Sequence, residues 1–299
     1  MKVLRDVKEE AGAKVAATAN VVARYVDGGW LSRIEDELQP RFDFGHYHAV
    51  PGVDVVLRSV RKRYDAKAMQ LVMHHLLCRL VASFDVDRLP FSLVDEVVHG
   101  YARSFSRILQ LEPQQLQLND RFMKDLALAS GRLYPAAERV VEPFSVIQRS
   151  LLYSGGWRQA CRFARALVEA GGNKPVFRLH VHLSEVSRFS QQSWYQTCVI
   201  TAKMAEANPA IRGVVGGSWF YDPDISAVSP RLAFIANTIA DGGAGFYFSH
   251  AEDYQSGALS MSKRRREAFE NGLYIPRNFA LFWPRRSLIN WSRRQPEYS

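Results

Sequence analysis

Across residues 176–299, short β-branched and aromatic runs alternate with longer helix-like ones, at 176–183, 191–208, 213–221, 230–241, 245–250, 255–271 and 278–282. No such segment can bury its apolar face alone. The arrangement that satisfies them together is a sheet with helices laid on its faces. The alternation therefore predicts an α/β (α+β) fold in which this part of the chain is a three-layer domain around a mixed sheet. In residues 176–183, Phe177, Leu179, Val181 and Leu183 alternate with Arg178, His180 and His182, the period of a strand with one buried face. Residues 191–208 read as a helix stopped by Asn208-Pro209. Ser229-Pro230 reads as a helix start, with serine as cap and proline in the first turn.

At the centre lies Gly213-Val214-Val215-Gly216-Gly217-Ser218-Trp219-Phe220-Tyr221, followed by a turn at Asp222-Pro223. Glycine inside a strand weakens it, and it is kept where another backbone or a ligand comes close. The paired glycines predict a strand that lies open, with bare main-chain N–H groups near Ser218 and Trp219 facing a cleft lined by Trp219, Phe220 and Tyr221.

Residues 1–172 carry a different period. Ala68, Met69, Leu71, Val72, Leu76, Leu80 and Val81 recur every three or four residues, as they do on one stripe of a helix. Residues 92–109 and 120–133 repeat the pattern, Pro143 opens a further helix-like stretch, and residues 157–170 close on Gly171-Gly172. This half is expected to be a helical domain or cap packed against the other. The boundary is placed at residues 171–175, where two glycines end a helix and Pro175 precedes an extended run, giving domains at 1–172 and 176–299.

Three cysteines, Cys78, Cys161 and Cys198, are odd in number, far apart and set in helix-like apolar surroundings, so they read as buried thiols rather than a disulfide framework. The longest apolar runs fall far short of a membrane span, and charges interrupt the N-terminal segment where a signal peptide needs an apolar core. The expectation is a soluble cytoplasmic protein without membrane contact. The net charge of +9 is densest at the end: residues 256–299 hold nine basic and three acidic residues. Lys263-Arg264-Arg265-Arg266, Arg285-Arg286 and Arg293-Arg294 form a field that attracts a polyanion such as a nucleic acid, a nucleotide cofactor or an acidic carrier protein.

For chemistry, the strongest constellation is His180-x-His182 followed by Glu185. Alternate strand residues point the same way, so the two imidazoles can serve as general bases beside a carboxylate, or can grip a metal ion with His250 as a third nitrogen ligand. His46 and His48 lie in a loop-like stretch over residues 43–51. His74 and His75 point to two sides of a helix and cannot chelate through one face. No G-x-S-x-G elbow, P-loop or G-x-G-x-x-G element is present, which argues against hydrolase, kinase and dehydrogenase chemistry.

The order strand, helix, glycine-bearing strand, proline-started helix, strand, basic helix, strand resembles the core of the GNAT N-acyltransferases over residues 176–290. In that family an exposed central strand holds the acyl thioester, a role the resemblance gives to Gly216, Gly217, Ser218 and Trp219. The family's late pattern of asparagine, alanine, tyrosine and glycine falls on Ser262, Arg265, Phe269 and Gly272. Phe269 cannot donate a proton, so Tyr221 or Tyr274 takes the place of the general acid. The family's glycine-rich pyrophosphate turn has no counterpart in residues 222–231; Ser229 and Arg231 at a helix start are left to meet an anion. Related groups without that turn take their acyl group from a carrier protein or from tRNA, which Lys263, Arg264, Arg265 and Arg266 suit.

The function expected from these features is transfer of an activated acyl group to a small-molecule amine. His180, His182 or Glu185 takes the amine proton, and amides near Ser218 and Trp219 hold the oxyanion. The donor is acyl-CoA, acyl carrier protein or aminoacyl-tRNA. The rival readings are an aminoacyl-tRNA-dependent transferase, a non-catalytic nucleic-acid or protein-binding module, and a metalloenzyme using His180 and His182.

Overall fold

Helix α4 organises the first part of the molecule, and the reason is visible in its composition. After α1 (Lys2–Val22), α2 (Gly28–Leu38) and α3 (Pro51–Arg63), α4 (Ala66–Ser83) starts at Asp65, whose side chain accepts the Ala68 N–H at 2.7 Å. Its expected stripe of Ala68, Met69, Val72, Leu76, Leu80 and Val81 is buried, but so are Met73, His74, His75, Leu77 and Cys78 on its other sides. A helix apolar all round must be central. Accordingly α1, α3, α5 (Asp95–Leu109) and α6 (Asp120–Ala129) all pack against α4.

In this computed structural model the described residues are 2–39, 46–240, 242–260 and 262–295. Asp43, Phe44 and Gly45 of the expected loop, and Asp241 at the expected end of a helix, lie outside them. The molecule is mixed α/β, with helices in its N-terminal half and a six-strand mixed sheet in its C-terminal half. It divides into two compact units, residues 1–143 with 181–187, and residues 144–180 with 188–299. The boundary expected at residues 171–175 falls inside the second unit, because the helix it closes, α7 (Gly156–Ala170), packs on the strands that follow it.

A further correction concerns residues 134–145, where the chain makes a hairpin of β1 (Tyr134–Ala136) and β2 (Arg139–Ser145), turning at Ala137 with φ +53°. Pro143 sits within β2 and does not open a helix; the stretch after it holds only a short 3-10 turn, Arg149–Leu152. The remaining strands are β3 (Val176–Val181), β4 (Gly213–Ser218), β5 (Gly245–Ala251) and β6 (Arg277–Pro284), and the sheet order is β1-β2-β3-β4-β6-β5. Strand β4 runs parallel to β3 and antiparallel to β6, which is also antiparallel to β5. Helix α8 (Gln191–Ala207) connects the parallel pair, close to the expected 191–208.

In the second unit one face of the sheet buries Val176, Val215, Tyr247, Ala280 and Phe282 under Phe163 of α7, with Ile147 and Leu151. The residues of opposite parity, Phe177, Val214 and Leu281, are buried on the other face, where α8 packs against α13 (Arg285–Ser292). Helices thus cover both faces. The connection from β4 to β5 carries α9 (Ile225–Val228) and α10 (Ala233–Ala240). The single helix expected at 255–271 is two, α11 (Gly257–Ser260) and α12 (Lys263–Glu270), the second capped by Ser262. Cys78 and Cys198 are buried, but Cys161 is exposed. It stands two residues from the buried Phe163, about 200° round the helix and so on its outer side.

Candidate functional site

The expectation of an open glycine strand is overturned by the pairing of β4. All six of its residues are in register with β6, from Gly213 opposite Pro284 to Ser218 opposite Phe279, and Val214, Val215 and Gly216 are also in register with Phe177, Arg178 and Leu179 of β3. Arg285 N–H donates to the Arg212 carbonyl at 3.0 Å, and this fixes the phase of the antiparallel ladder. Val214, Gly216 and Ser218 exchange bonds with β6, while Val215 and Gly217 face β3, the Leu179–Gly216 pairing closing on the Gly217 N–H.

Two of the glycines serve the fold. A Cβ on Gly213 would lie 2.4 Å from the Trp283 carbonyl oxygen, and one on Gly216 would lie 2.8 Å from the Tyr221 hydroxyl, whose ring is buried against Trp194 and Phe220. Gly217 alone is exposed, with only Asn278 Oδ1 near it, at 3.7 Å.

The first amide beyond the ladders belongs to Trp219, which opens a 3-10 turn, Trp219–Tyr221, at the carboxyl end of β4. The opening N–H groups of a helical turn have no partner within it, and Trp219 N–H meets no acceptor among the described residues. Over the Trp219 ring, 4.4 Å from its centre, lies the guanidinium of Arg265. Arg265 is 2 % exposed; its Nε donates to the Ala258 carbonyl at 2.6 Å and its Nη1 to Ser229 Oγ at 2.8 Å. Among the described residues no carboxylate pairs with it. Burial lowers its pKa, and the charge of Arg231 adds to this against the opposing effect of Tyr274. The Tyr274 hydroxyl is buried and unpartnered among the described residues. Desolvation pushes it up to about 12, so it keeps its proton at neutral pH.

Around these donors the acids are already engaged. Asp222, buried, accepts from Arg277 Nε at 2.9 Å and Nη2 at 2.7 Å, and Arg277 also reaches Asp224 at 2.6 Å. Glu252 accepts from the Ser256 hydroxyl and from Asn278 Nδ2, the latter at 2.7 Å. What is left is a group of donors that meets no carboxylate: the Trp219 N–H, the Arg265 guanidinium and the unpartnered Tyr274 O–H. Such a group suits a developing oxyanion or a bound anion.

Of the residues the sequence singled out, Trp219, Ser229, Arg265 and Tyr274 come together here. Ser229 does so in another role. It makes no side-chain cap; its hydroxyl holds Arg265, and Pro230–Leu232 is a 3-10 turn, so no helix N-terminus stands ready for an anion beside Arg231, which is exposed. Gly216, Ser218 and Tyr221 are packed into the structure. Lys263, Arg264 and Arg266 are exposed, Lys263 pairing with Glu267 at 3.7 Å. Asp222, Glu252, Arg277 and Asn278 were not anticipated; the acid of the Asp222-Pro223 turn is the one hint the sequence offers.

His182 and Glu185 belong to a different cluster, inside the first unit. The strand alternation stops at Val181, so His182 is 1 % exposed and Leu183 turns outward. His182 Nε2 lies 3.0 Å from Asp125 Oδ1, and its Nδ1 accepts the Ser184 N–H at 3.2 Å. An accepting Nδ1 places the ring proton on Nε2, which donates it to Asp125. Both nitrogens are then occupied, and the ring has no lone pair for an amine or a metal. Arg107 forms an ion pair with Asp125 and approaches Glu185 at 3.6 Å. Burial works to raise the Asp125 carboxyl, but the hydrogen bond from His182 and the charge and hydrogen bonds of Arg107 outweigh it and hold it below its ordinary value. A cavity of about 150 Å³ lined by Gln115, Asn119, Arg121 and Phe122 reaches Asp125.

His180 is half-buried near the end of β3. His250 is exposed on β5, with β6 and β4 between it and β3. Three strand spacings are about 14 Å, so His250 cannot share an ion with the histidines of β3. Among the described residues no group of three or more His, Cys, Asp or Glu could hold a metal ion, and no helix is long and apolar enough to cross a membrane. Compared with models of protein families, with curated proteins and with solved structures, the chain matches none.

Proposed function

We propose that the second unit transfers an activated acyl group to an amine at the carboxyl end of β4. The observation that carries this reading is a set of donors without a carboxylate, the Trp219 N–H that opens a 3-10 turn, the buried Arg265 guanidinium and the unpartnered Tyr274 O–H, placed beyond the carboxyl ends of the parallel strands β3 and β4, where sheets of this kind bind ligands. The amine nitrogen attacks the acyl carbonyl carbon and forms the amide bond. The Trp219 amide and Arg265 stabilise the oxygen that takes up the negative charge. As the bond to the leaving sulfur or oxygen breaks, Tyr274 protonates the leaving group, and the proton lost from the amine passes to solvent. No protein nucleophile is needed, because an activated ester or thioester requires alignment more than activation.

The resemblance to the GNAT N-acyltransferases gives the same direction, with the oxyanion donor moved one residue beyond the strand. The exposed Lys263, Arg264 and Arg266 favour a polyanionic donor, an acylated carrier protein or aminoacyl-tRNA, over a free thioester.

The test is to incubate the protein with an acyl thioester, an acylated carrier protein or an aminoacyl-tRNA and a panel of amines, following product by mass spectrometry. Amide formation should fall on the order of a hundredfold in Tyr274→Phe and Arg265→Met. Product formed equally by both variants contradicts the reading.

A further inference from the structure

A basic groove on the second unit remains outside this chemistry. Helix α7 presents Arg158, Arg162 and Arg165 at positions i, i+4 and i+7, all exposed and so on one outward face, while Phe163 anchors the opposite side in the core. Alongside, two surface cavities of about 550 and 590 Å³ share Ser287 and Asn290 of α13. The first is bounded by Arg165 and Arg286, the second by Arg293 and Arg294 beside Gly242 and Gly243. Of the acids in reach, Glu206 is bound by Arg293, and Glu169, which lines the first cavity and accepts from Ser287 Oγ at 2.9 Å, is outnumbered by the arginines around it. Arg158, Arg162, Arg165, Arg286 and Arg294 have no carboxylate partner among the described residues.

Every cation here is arginine, the side chain whose planar fork matches phosphate oxygens in pairs. At the start of the stripe Trp157 is 74 % exposed, with the Arg158 guanidinium 5.9 Å from its ring centre. A large aromatic ring bared to solvent beside a row of arginines is what an unpaired base needs for stacking, and neither a duplex nor an acidic protein segment uses it.

We infer that the groove between α7 and α13 binds single-stranded nucleic acid, with the arginines on consecutive phosphates and Trp157 under a base. This goes beyond acyl transfer and stands or falls apart from it.

The test uses the full chain and a fluorescent 20-nucleotide single-stranded RNA or DNA, read by anisotropy over a range of salt. The combined Arg162→Gln, Arg165→Gln, Arg286→Gln variant should bind more than tenfold more weakly, with its log–log salt slope shallower by about 2, at about 0.7 for each phosphate no longer neutralised. Trp157→Ala should weaken binding about fivefold or more. Removing three charges elsewhere, by Arg61→Gln, Lys62→Gln and Lys67→Gln on the first unit, should change it less than threefold. Cys161, exposed between Arg158 and Arg162, should be alkylated several-fold more slowly when the strand is bound. Equal loss in both charge-removal variants, equal affinity for a duplex, equal competition by polyglutamate or an unchanged Cys161 rate each overturns the inference.

Discussion

Two buried charged clusters in this molecule are built on opposite principles. Around Asp125 each charge has a countercharge: Arg107 and His182 hold the carboxylate, Ser184 fills the second imidazole nitrogen, and the one nitrogen short of a hydrogen bond, Arg107 Nε, lies 3.6 Å from Glu185. Around Arg265 a cation is as deeply buried, yet it meets only a carbonyl, a hydroxyl and an aromatic face, beside a phenol with no partner. A closed network costs much to break and does no chemistry by itself. An open one gives up stability and keeps donors in hand for a ligand. The residue types alone point the other way, since a histidine beside acids looks catalytic and an arginine run looks like a solvated surface.

Removing one partner from each cluster should have the largest and most unequal effects. Asp125→Ala strands Arg107 and the buried His182, and should cost about 3–5 kcal/mol in denaturant unfolding. Within β4, Gly216→Ala drives a methyl into the Tyr221 hydroxyl and should cost about 1–3 kcal/mol, while Gly217→Ala, open on its side, should stay within about 0.5 kcal/mol. Arg265→Met leaves Ser229 and the Ala258 carbonyl short of a donor but removes an uncompensated charge. It should cost about 1–2 kcal/mol, less than Asp125→Ala, and a larger loss would show that Arg265 is part of a closed network as well.

The smallest effects appear with pH. His74 and His75, buried in α4, have pKa values lowered chiefly by desolvation, with the Lys14 charge acting on His74 and the Arg79 charge on His75. Their unfolded value is near 6.5, so the unfolded chain binds the protons first: stability is whole above about pH 6.5 and is lost as pH falls toward the folded values. Asp125, also lowered, contributes stability that is whole above about pH 4 and is lost as pH falls through its folded value. Unfolding curves from pH 8 to 3 should therefore show two declines. His74→Asn with His75→Asn should flatten the first, and Asp125→Asn only the second.

Much of the second unit could be read in the sequence, because period and stop signals there are local. Asn208-Pro209 ends α8 within a residue of its expected end, and the alternation in residues 176–181 gives β3. The reading failed where a non-local partner decided the outcome. Beyond Val181 the phase reverses because Asp125 and Arg107, more than fifty residues earlier in the chain, draw His182 inward. The glycines of β4 look like room for a ligand, yet two of them make room for Trp283 and Tyr221. Pro143, a helix starter by habit, sits in a strand, where proline is tolerated if its nitrogen is not needed by the ladder. Of the candidate site, Trp219, Ser229, Arg265 and Tyr274 were within reach of the sequence. The Asp222–Arg277 and Glu252–Asn278 pairs were not, because each joins positions that only the folded sheet brings together.

Residue-resolved amide exchange, in the free protein and with an acyl donor bound, tests the donor group at the end of β4 most directly. The amides from Val214 to Ser218 should be protected throughout, and that of Trp219 should exchange freely until the donor is added, then slow by tenfold or more. A Trp219 amide already protected in the free protein, or one indifferent to every acyl donor, contradicts the account.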